Sequence, residues 1–569
     1  MKNRSSILIP LIIAVSICIG IVVGNFFALR SSGNVSGGSF NKSSFNKINS
    51  LLDLIEQNYV DTVNMHDLIE EAIPSIIAQL DPHSAYITSA DLESVNEDLE
   101  GSFSGIGVQF NIQNDTVLIV AVIPGGPSEK LGIMPGDRIV EVNDSVFVGK
   151  KITNEFVQKT LRGKKGTSVK VGIKRYGTKE ILPFDITRND IPVNSVDVSY
   201  MIDNRTGYVK ISKFGAKTYQ EFLHAIGKLK NEGASQMILD FRGNPGGYMG
   251  AAINMINEFL PAGNLIVYTE GKTLERENYF ADGTGSCLGT KVVVLIDEWS
   301  ASASEIFAGA VQDNDRGTII GRRSFGKGLV QTQIEFPDSS AIRLTIARYY
   351  TPSGRSIQKP YVKGDDIDYE NDILNRFNHG EFDEKDSISV VDSVEYRTKG
   401  GKIVYGGGGI MPDVFVPRDT TGYSSYYNKL INHSIIYQYA LEYVDKNRDK
   451  LKPYKNWKEL TAYLRTQNMI DDLTEFASRK DIRKNIAGLR KSEYLIQNLL
   501  EAYIARMALS DSEFYPILNQ TDSTIKKALE VLNEESDIKD SKYSSVNLKN
   551  SKEKQAVYHI VPENFYVKN

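Results

Sequence analysis

The chain has 569 residues, enough for three or four domains, each with its own core. Hydrophobic residues at 41% and charged residues at 24% are ordinary for a globular protein, and a formal charge of −5 gives no basic field for nucleic acid. The two cysteines, Cys18 and Cys287, are not expected to pair; without C-x-x-C, H-E-x-x-H or clustered histidines, no metal or other cofactor is expected.

Lys2 and Arg4 precede Ile7–Leu29, an uncharged run long enough to span a bilayer as a helix. Positive charge ahead of such a span puts the N-terminus in the cytoplasm and the rest outside. Phe26-Phe-Ala-Leu-Arg30 offers no convincing cleavage site, and Ile17 makes Cys18 a poor lipidation site. Residues 1–30 therefore read as an uncleaved signal anchor in a bacterial-type inner membrane, with a cleaved signal and a soluble periplasmic form as the alternative. Residues 31–97 read as a Ser/Gly/Asn-rich tether to residue 44, then a unit of two or three helices. Its apolar positions recur helically (Ile48, Leu51, Leu52, Ile55; Leu68, Ile69, Ile73, Ile76, Ile77, Leu80) as far as Asp81-Pro-His83.

Residues 98–188 change to short strands and turns. Gly105-Ile-Gly-Val108 begins one strand, Thr116–Val122 forms the next, and a Gly/Pro-rich stretch, Pro124–Asp137, leads into Arg138–Asn143. The order of elements resembles a PDZ domain. That resemblance makes Gly105, Ile106, Gly107 and Val108 the loop whose N–H groups hold a peptide's terminal carboxylate, with the peptide added to an open strand edge. A plain turn is the competing reading.

Residues 189–420 alternate strands and helices, which predicts an α/β core with parallel pairing. Gly207–Ile211 and Gln236–Asp240 read as strands, Tyr219–Lys230 and Gly250–Phe259 as helices. Asp240-Phe-Arg-Gly-Asn-Pro-Gly-Gly247 lies between strand and helix, where its glycines could present N–H groups to an oxyanion; a structural turn is the alternative. The apolar strand Lys291–Asp297 then runs into Trp299-Ser-Ala-Ser-Ala-Ser-Glu305, which opens a helix. A hydroxyl at a helix start stands beside free N–H groups, although Ser302-x-x-Glu305 also fits a capping box. The residues alone leave Ser300, Ser302 and Ser304 open as nucleophile.

A serine hydroxyl needs a base at neutral pH, and glycine-flanked Lys327 can supply one. Gly321–Lys327 also matches most of a phosphate-binding loop, but Gly328 replaces the required hydroxyl and Gly328–Phe336 reads as extended. On that strand Lys327, Leu329, Gln331 and Gln333 share a face, which lets Gln331 hold the amine. Residues 360–400 read as an acidic, irregular surface insertion, and Gly406–Val416 as a return to the core. Residues 421–569 read as a helical extension from about Ser424 to Ser536, followed by a polar tail.

In order, Leu80-Asp-Pro-His-Ser-Ala-Tyr86, the PDZ-like region, Asp240–Gly247, Ser300–Glu305, Phe325–Gln331 and Tyr349–Arg355 resemble the carboxyl-terminal processing, or tail-specific, proteases. The resemblance covers about residues 45–417. It implies Ser302 as nucleophile, Lys327 as general base and Gln331 as its positioner, with an oxyanion hole from the N–H of Ala303 and one of Gly246 or Gly247. Trp299 stands where many relatives carry a small residue. The expected function is a membrane-anchored serine endopeptidase acting on the C-terminal tails of envelope proteins; a non-catalytic PDZ tail-binding scaffold is the alternative. The partners expected are polypeptides with free apolar C-termini and the membrane, with an adaptor or a second copy left open.

Overall fold

A computed structural model describes residues 42–537, apart from 114, 366 and 390–393. The predicted span Ile7–Leu29 and the polar tail lie outside these residues, and no described helix is long and apolar enough to cross a membrane. The chain divides after Ile73. The first unit contains α1 (Lys42–Asn58) and most of α2 (Met65–Ile77). Helix α1 thus begins inside the segment expected to be tether.

In the second unit, the helical pattern expected to reach Ala90 gives way to β1 (Ala85–Ile87). Pro82 supplies no donor, and the Asp81 carboxylate accepts from the N–H groups of His83 and Ser84, both at 2.9 Å, which turns the chain out of helix. Helix α3 (Leu92–Glu100) then leads into the PDZ region. Its elements are β2 (Ser102–Gly105), β3 (Val108–Gln113), β4 (Thr116–Val122), α4 (Pro127–Lys130), β5 (Arg138–Val142), β6 (Ser145–Val146), α5 (Asn154–Leu161), β7 (Ser168–Lys174), β8 (Leu182–Thr187) and β9 (Asn189–Pro192). An antiparallel sheet in the order β3-β4-β5-β7-β8 covers a core that includes Val117, Ile119, Ile139, Val157 and Val171. Strands β2 and β9 pair where the chain enters and leaves.

The core begins with β10 (Val196–Met201), β11 (Thr206–Ile211), α6 (Thr218–Asn231), β12 (Gln236–Asp240), α7 (Met249–Asn257), β13 (Leu265–Gly271), β14 (Glu277–Phe280) and β15 (Lys291–Ile296). It continues through α8 (Ala303–Asp313), β16 (Thr318–Gly321), β17 (Leu329–Glu335), β18 (Ala341–Tyr350), α9 (Ile367–Asn378), β19 (Glu395–Arg397), β20 (Ile403–Tyr405) and β21 (Val414–Phe415). The main sheet runs β10-β11-β12-β15-β16-β21 and is parallel except for the β10–β11 pair. Strand β12 is buried along its whole length and β15 almost so, as a central parallel strand requires. A second, antiparallel sheet joins β14, β13, β18 and β1, with β17 also on β18.

One expectation needs correction. The acidic 360–400 segment is not simply an irregular surface insertion: α9 carries the buried Tyr369 and Arg376, and buried Glu381 pairs with Arg323 and Arg376 at 2.6 and 2.8 Å. Its charges look solvated in sequence because Arg323, which helps to bury Glu381, lies 58 residues away. The C-terminal extension, in turn, is built into the fold. It comprises α10 (Ser425–Asn432), α11 (Ile435–Leu451), α12 (Trp457–Leu464), α13 (Met469–Arg479), α14 (Ile486–Ala508), α15 (Phe514–Leu518) and α16 (Ser523–Asp537). Helices α6, α7 and α8 pack one face of the parallel sheet; Ile525, Ala528 and Leu532 of α16 cover the other, against Tyr208, Ile238 and Leu295. Leu118 of the PDZ sheet joins the extension's own core, and Arg448 Nη2 donates to the Pro135 carbonyl at 2.6 Å.

Candidate active site

Three loops meet at the carboxyl ends of the adjacent parallel strands β12, β15 and β16, the usual ligand side of an α/β sheet. The first, Asp240–Gly247, is anchored by buried Asp240. Burial pushes that carboxyl up, but Arg242 and Lys210 outweigh it and hold the group well below the ordinary carboxylate range. Arg242 bonds both Asp240 oxygens and, at 2.8 Å, Asp522 just before α16. Asn244 is fully buried; its amide donates to the Ile211 carbonyl at 3.0 Å, and its Oδ1 accepts the Gly246 N–H at 2.8 Å.

The second loop separates the three serines. Ser300 Oγ donates to the Phe241 carbonyl at 2.8 Å, and Ser304 Oγ to the Asn244 carbonyl at 3.0 Å; both residues are fully buried. Ser302 is partly exposed, at φ 55° and ψ −113°. A non-glycine residue there costs of order 1–3 kcal/mol, a strain characteristic of functional turns. The capping box around Ser302 is present but loose on one side. Glu305 accepts from the Ser302 N–H at 2.8 Å, while the Glu305 N–H goes to the Ser302 carbonyl at 2.8 Å.

Glu305 does more than cap. Its buried carboxylate also accepts from Ser324 Oγ at 2.5 Å and from the N–H groups of Gly326 and Lys327 at 2.7 and 2.9 Å. Burial pushes this acid up to about 7, against the pull of those bonds. The buried Tyr349 hydroxyl shares its proton between the carbonyls of Ser302 and Lys327. Serine and lysine loops are therefore tied backbone to backbone, although no hydrogen bond joins Ser302 Oγ to Lys327 Nζ among the described residues. The glycines beside the lysine admit neighbouring chain: a Cβ on Gly328 would lie 2.9 Å from the Gln358 nitrogen, and Gly326 has φ 92°. The segment after Lys327 is strand β17, which leaves the phosphate-loop reading without its helix.

Burial and the charge of Arg343 pull the Lys327 ammonium down to about 8, while Glu305 and Asp81 pull it back up. Gln331 was expected to hold this amine. Its Nε2 instead donates to Thr345 Oγ1 at 3.1 Å, and Thr345 Oγ1 donates to Asp81 Oδ1 at 3.0 Å, so the amide oxygen is the end left for an amine. Asp81 and Thr345 were missed as site residues because they are 264 positions apart; the Asp-Pro-His motif was the only signal. His83 also comes close enough for the Lys327 charge to matter. Burial and that charge hold its imidazole down at about 4, and its Nε2 bonds Tyr369 Oη at 2.7 Å.

Two backbone donors of the first and second loops are unspent. Among the described residues, the N–H groups of Ala303 and Gly247 meet no acceptor, whereas that of Gly246 is taken by Asn244. Gly246 packs against the pair closely enough that a Cβ would lie 2.7 Å from that of Ser302 and 3.0 Å from the Ala303 nitrogen. In the PDZ region, the carbonyls of Ile106 and Gly107 accept from Ser128 and Ile123, while the N–H groups of Ile106 and Gly107 meet no acceptor among the described residues. Gly107 has φ 78°. Val108 starts the sheet's edge strand. Trp299 is exposed beside the serine loop. No cluster of metal-ligating side chains occurs among the described residues.

Residues 205–367 match the family model of peptidase family S41, 104–185 a PDZ domain, 29–90 the N-terminal domain of the activating protease CtpB, and 426–510 a family of unknown function. The carboxy-terminal processing protease CtpA of Bacillus subtilis is 38% identical over 358 residues, covering 61% of this chain and 76% of the relative. A carboxy-terminal-processing protease of Bartonella bacilliformis is 36% identical over 317 residues, 55% of this chain and 72% of its own. Among solved structures, a photosystem II D1 C-terminal processing protease is 25% identical and covers 65% of this chain and 92% of its own, with a TM-score of 0.33.

Proposed function

Because the chain belongs to the carboxy-terminal processing proteases of peptidase family S41, and is a serine-type peptidase, we propose that Ser302 is its nucleophile and Lys327 its general base. The observation that carries this is the sorting of the serines: Ser300 and Ser304 spend their hydroxyls on buried carbonyls, and Ser302 alone is both strained and accessible, held by the same Glu305 and Tyr349 that hold the lysine loop. The neutral Lys327 amine takes the Ser302 proton as the oxygen attacks the scissile carbonyl carbon. The resulting oxyanion lies within reach of the N–H groups of Ala303 and Gly247. As the C–N bond breaks, the ammonium returns the proton to the leaving amine. Water, deprotonated by the same amine, then attacks the ester carbonyl, and as the C–O bond to Ser302 breaks the ammonium returns that proton to the Ser302 oxygen, releasing the new carboxyl end.

The lysine's environment makes this workable. At an ordinary value, well under 0.1% of the amine is neutral at pH 7; at about 8 the fraction is roughly a tenth. Each unit of that depression costs about 1.4 kcal/mol, met here by burial. Gln331, held by Thr345 and through it by Asp81, positions the amine.

The tail of the substrate docks on the PDZ region, its carboxylate on the Ile106–Gly107 N–H groups and its strand on the open edge of β3. Ile7–Leu29 anchors the enzyme in the membrane with the protease outside the cytoplasm, and its substrates are envelope polypeptides ending in a free apolar residue. Ser302→Ala and Lys327→Arg test the chemistry. Each loses peptide hydrolysis by at least about 10³-fold with its melting temperature retained, because the pair acts as a unit and an arginine stays charged. Ser300→Ala and Ser304→Ala lose about 1 kcal/mol of stability and keep the nucleophile. Substantial turnover by Lys327→Arg rules out lysine as the base.

A further inference from the structure

The C-terminal extension has no role in the chemistry above, yet it lies along the strand on which the tail is proposed to dock. Strand β3 pairs only with β4, so among the described strands its other edge is open. Its side chains alternate. Val108, Phe110 and Ile112 pack against the PDZ core, and Gln109 and Asn111 point to the other face. That face meets the extension. Arg506 of α14 donates to Gln109 Oε1 at 3.1 Å, and a cavity of about 330 Å³ lies between the PDZ sheet and helices α10, α11 and α14. Asn111, Val120, Ile431, Tyr437, Tyr503 and Arg506 help line it. Val120 is the extra residue of a bulge, the point where β4 slips a residue against β3 between Gln109 and Phe110.

We propose that this cavity is a second specificity pocket, formed jointly by the PDZ sheet and the C-terminal extension, that takes alternate side chains of the substrate tail. The inference rests on tail docking at β3. A strand added to β3 repeats its pleat. If the last side chain turns toward Ile106 and Val108, the penultimate one must turn toward Gln109 and Asn111, and so toward the extension. The lining is mixed: exposed Ile431 and the rings of Tyr437 and Tyr503, which meet edge to face at 5.3 Å, stand beside Asn111, Ser434 and Arg506. A large apolar or aromatic side chain can pack on Ile431 and the two rings. The Tyr437 hydroxyl is buried and has no hydrogen-bond partner among the described residues. The pocket thereby gives the extension a part in choosing substrates.

The test uses the full chain carrying Ser302→Ala, which binds without turnover, and fluorescent peptides read by anisotropy. Two tails share an apolar last residue and differ at the penultimate position, leucine against glycine; each is made with a free and an amidated terminus. The parent is expected to bind the leucine tail about tenfold tighter than the glycine tail, the scale of a few buried methylenes. Ile431→Ser should reduce that ratio, and Ile431→Asp should bring it close to one; Ile431 is a surface position where neither change threatens folding. A ratio near one in the parent, or one unmoved by both substitutions while the free acid is still preferred, overturns the pocket alone. Equal binding of free and amidated tails by the parent overturns the docking on which it rests, and the pocket with it.

Discussion

The protease centre and the tail groove are built in opposite ways. At the centre, Glu305 alone accepts four bonds, the hydroxyls of Ser300, Ser304 and Ser324 are all committed, and the lysine loop is locked to the serine loop through Tyr349. Along β3, one edge has no strand partner among the described residues. Catalysis needs groups fixed before the substrate arrives, since any reorganisation adds to the barrier. Recognition needs bonds withheld until then. Damage to the centre should therefore appear in turnover, and damage to the groove in substrate affinity.

The largest effect expected of a residue that does not itself react is at Glu305. Glu305→Ala frees the donors of Ser324, Gly326 and Lys327 and lets the lysine loop move, and a misplacement of about 1 Å can cost about 10²-fold. Single-turnover hydrolysis should fall by that much or more with little change in KM. A rise in KM at unchanged kcat would place Glu305 in substrate binding instead. Next is the substrate's own terminus. Amidating the tail removes charge-assisted bonds worth roughly 1.5–3 kcal/mol each at most, so KM should rise by about 10- to 100-fold while kcat holds. Equal KM for free and amidated tails would leave the groove without its proposed ligand.

A smaller effect is expected at Asp81, and its signature is a shift on the pH axis. The Asp81 charge pulls the Lys327 amine upward. Asp81→Asn should move the midpoint of the pH–rate profile to lower pH and, by loosening Thr345 and Gln331, reduce kcat by a few-fold. An unmoved midpoint would make Asp81 a merely structural residue.

How much of this was legible beforehand depends on the distance over which each bond acts. The buried strands Gln236–Asp240 and Lys291–Ile296, the PDZ strands Thr116–Val122 and Arg138–Val142 and the extended segment after Lys327 follow from local patterns and appear within a residue or so of where they were expected, whereas the strand expected from Gly105 begins only at Val108. The PDZ resemblance and the order of the motifs located the three loops. The choice among the serines was not readable from the residues, because Ser300, Ser302 and Ser304 differ only in which carbonyl, if any, lies within reach. Glu305 was legible as a cap through its bond to Ser302 three residues away. Its hold on Gly326 and Lys327 was hidden, since those partners lie 21 and 22 residues off in another loop. The acidic stretch misled for the same reason: Glu381 is buried between two arginines that both precede it, Arg376 close by and Arg323 58 residues away. Nor could the extension's place be read, because a helical period shows that Ile525 and Leu532 need cover without naming the sheet that supplies it.

Catalysis by this pair requires a neutral lysine beside Ser302, and the pH dependence of acylation tests that most directly. The folded midpoint of Lys327, about 8, lies below that of the free side chain, so the reactive neutral form grows as pH rises through that value. Glu305, with a midpoint near 7, loses its charge on the acid side and weakens the clamp in the same direction. Acylation measured in single turnover from about pH 6 to about pH 10 should rise to a plateau with an apparent midpoint near 8. A rate that stays flat across that range with acylation limiting, or one that rises only at the ordinary lysine value, would contradict it.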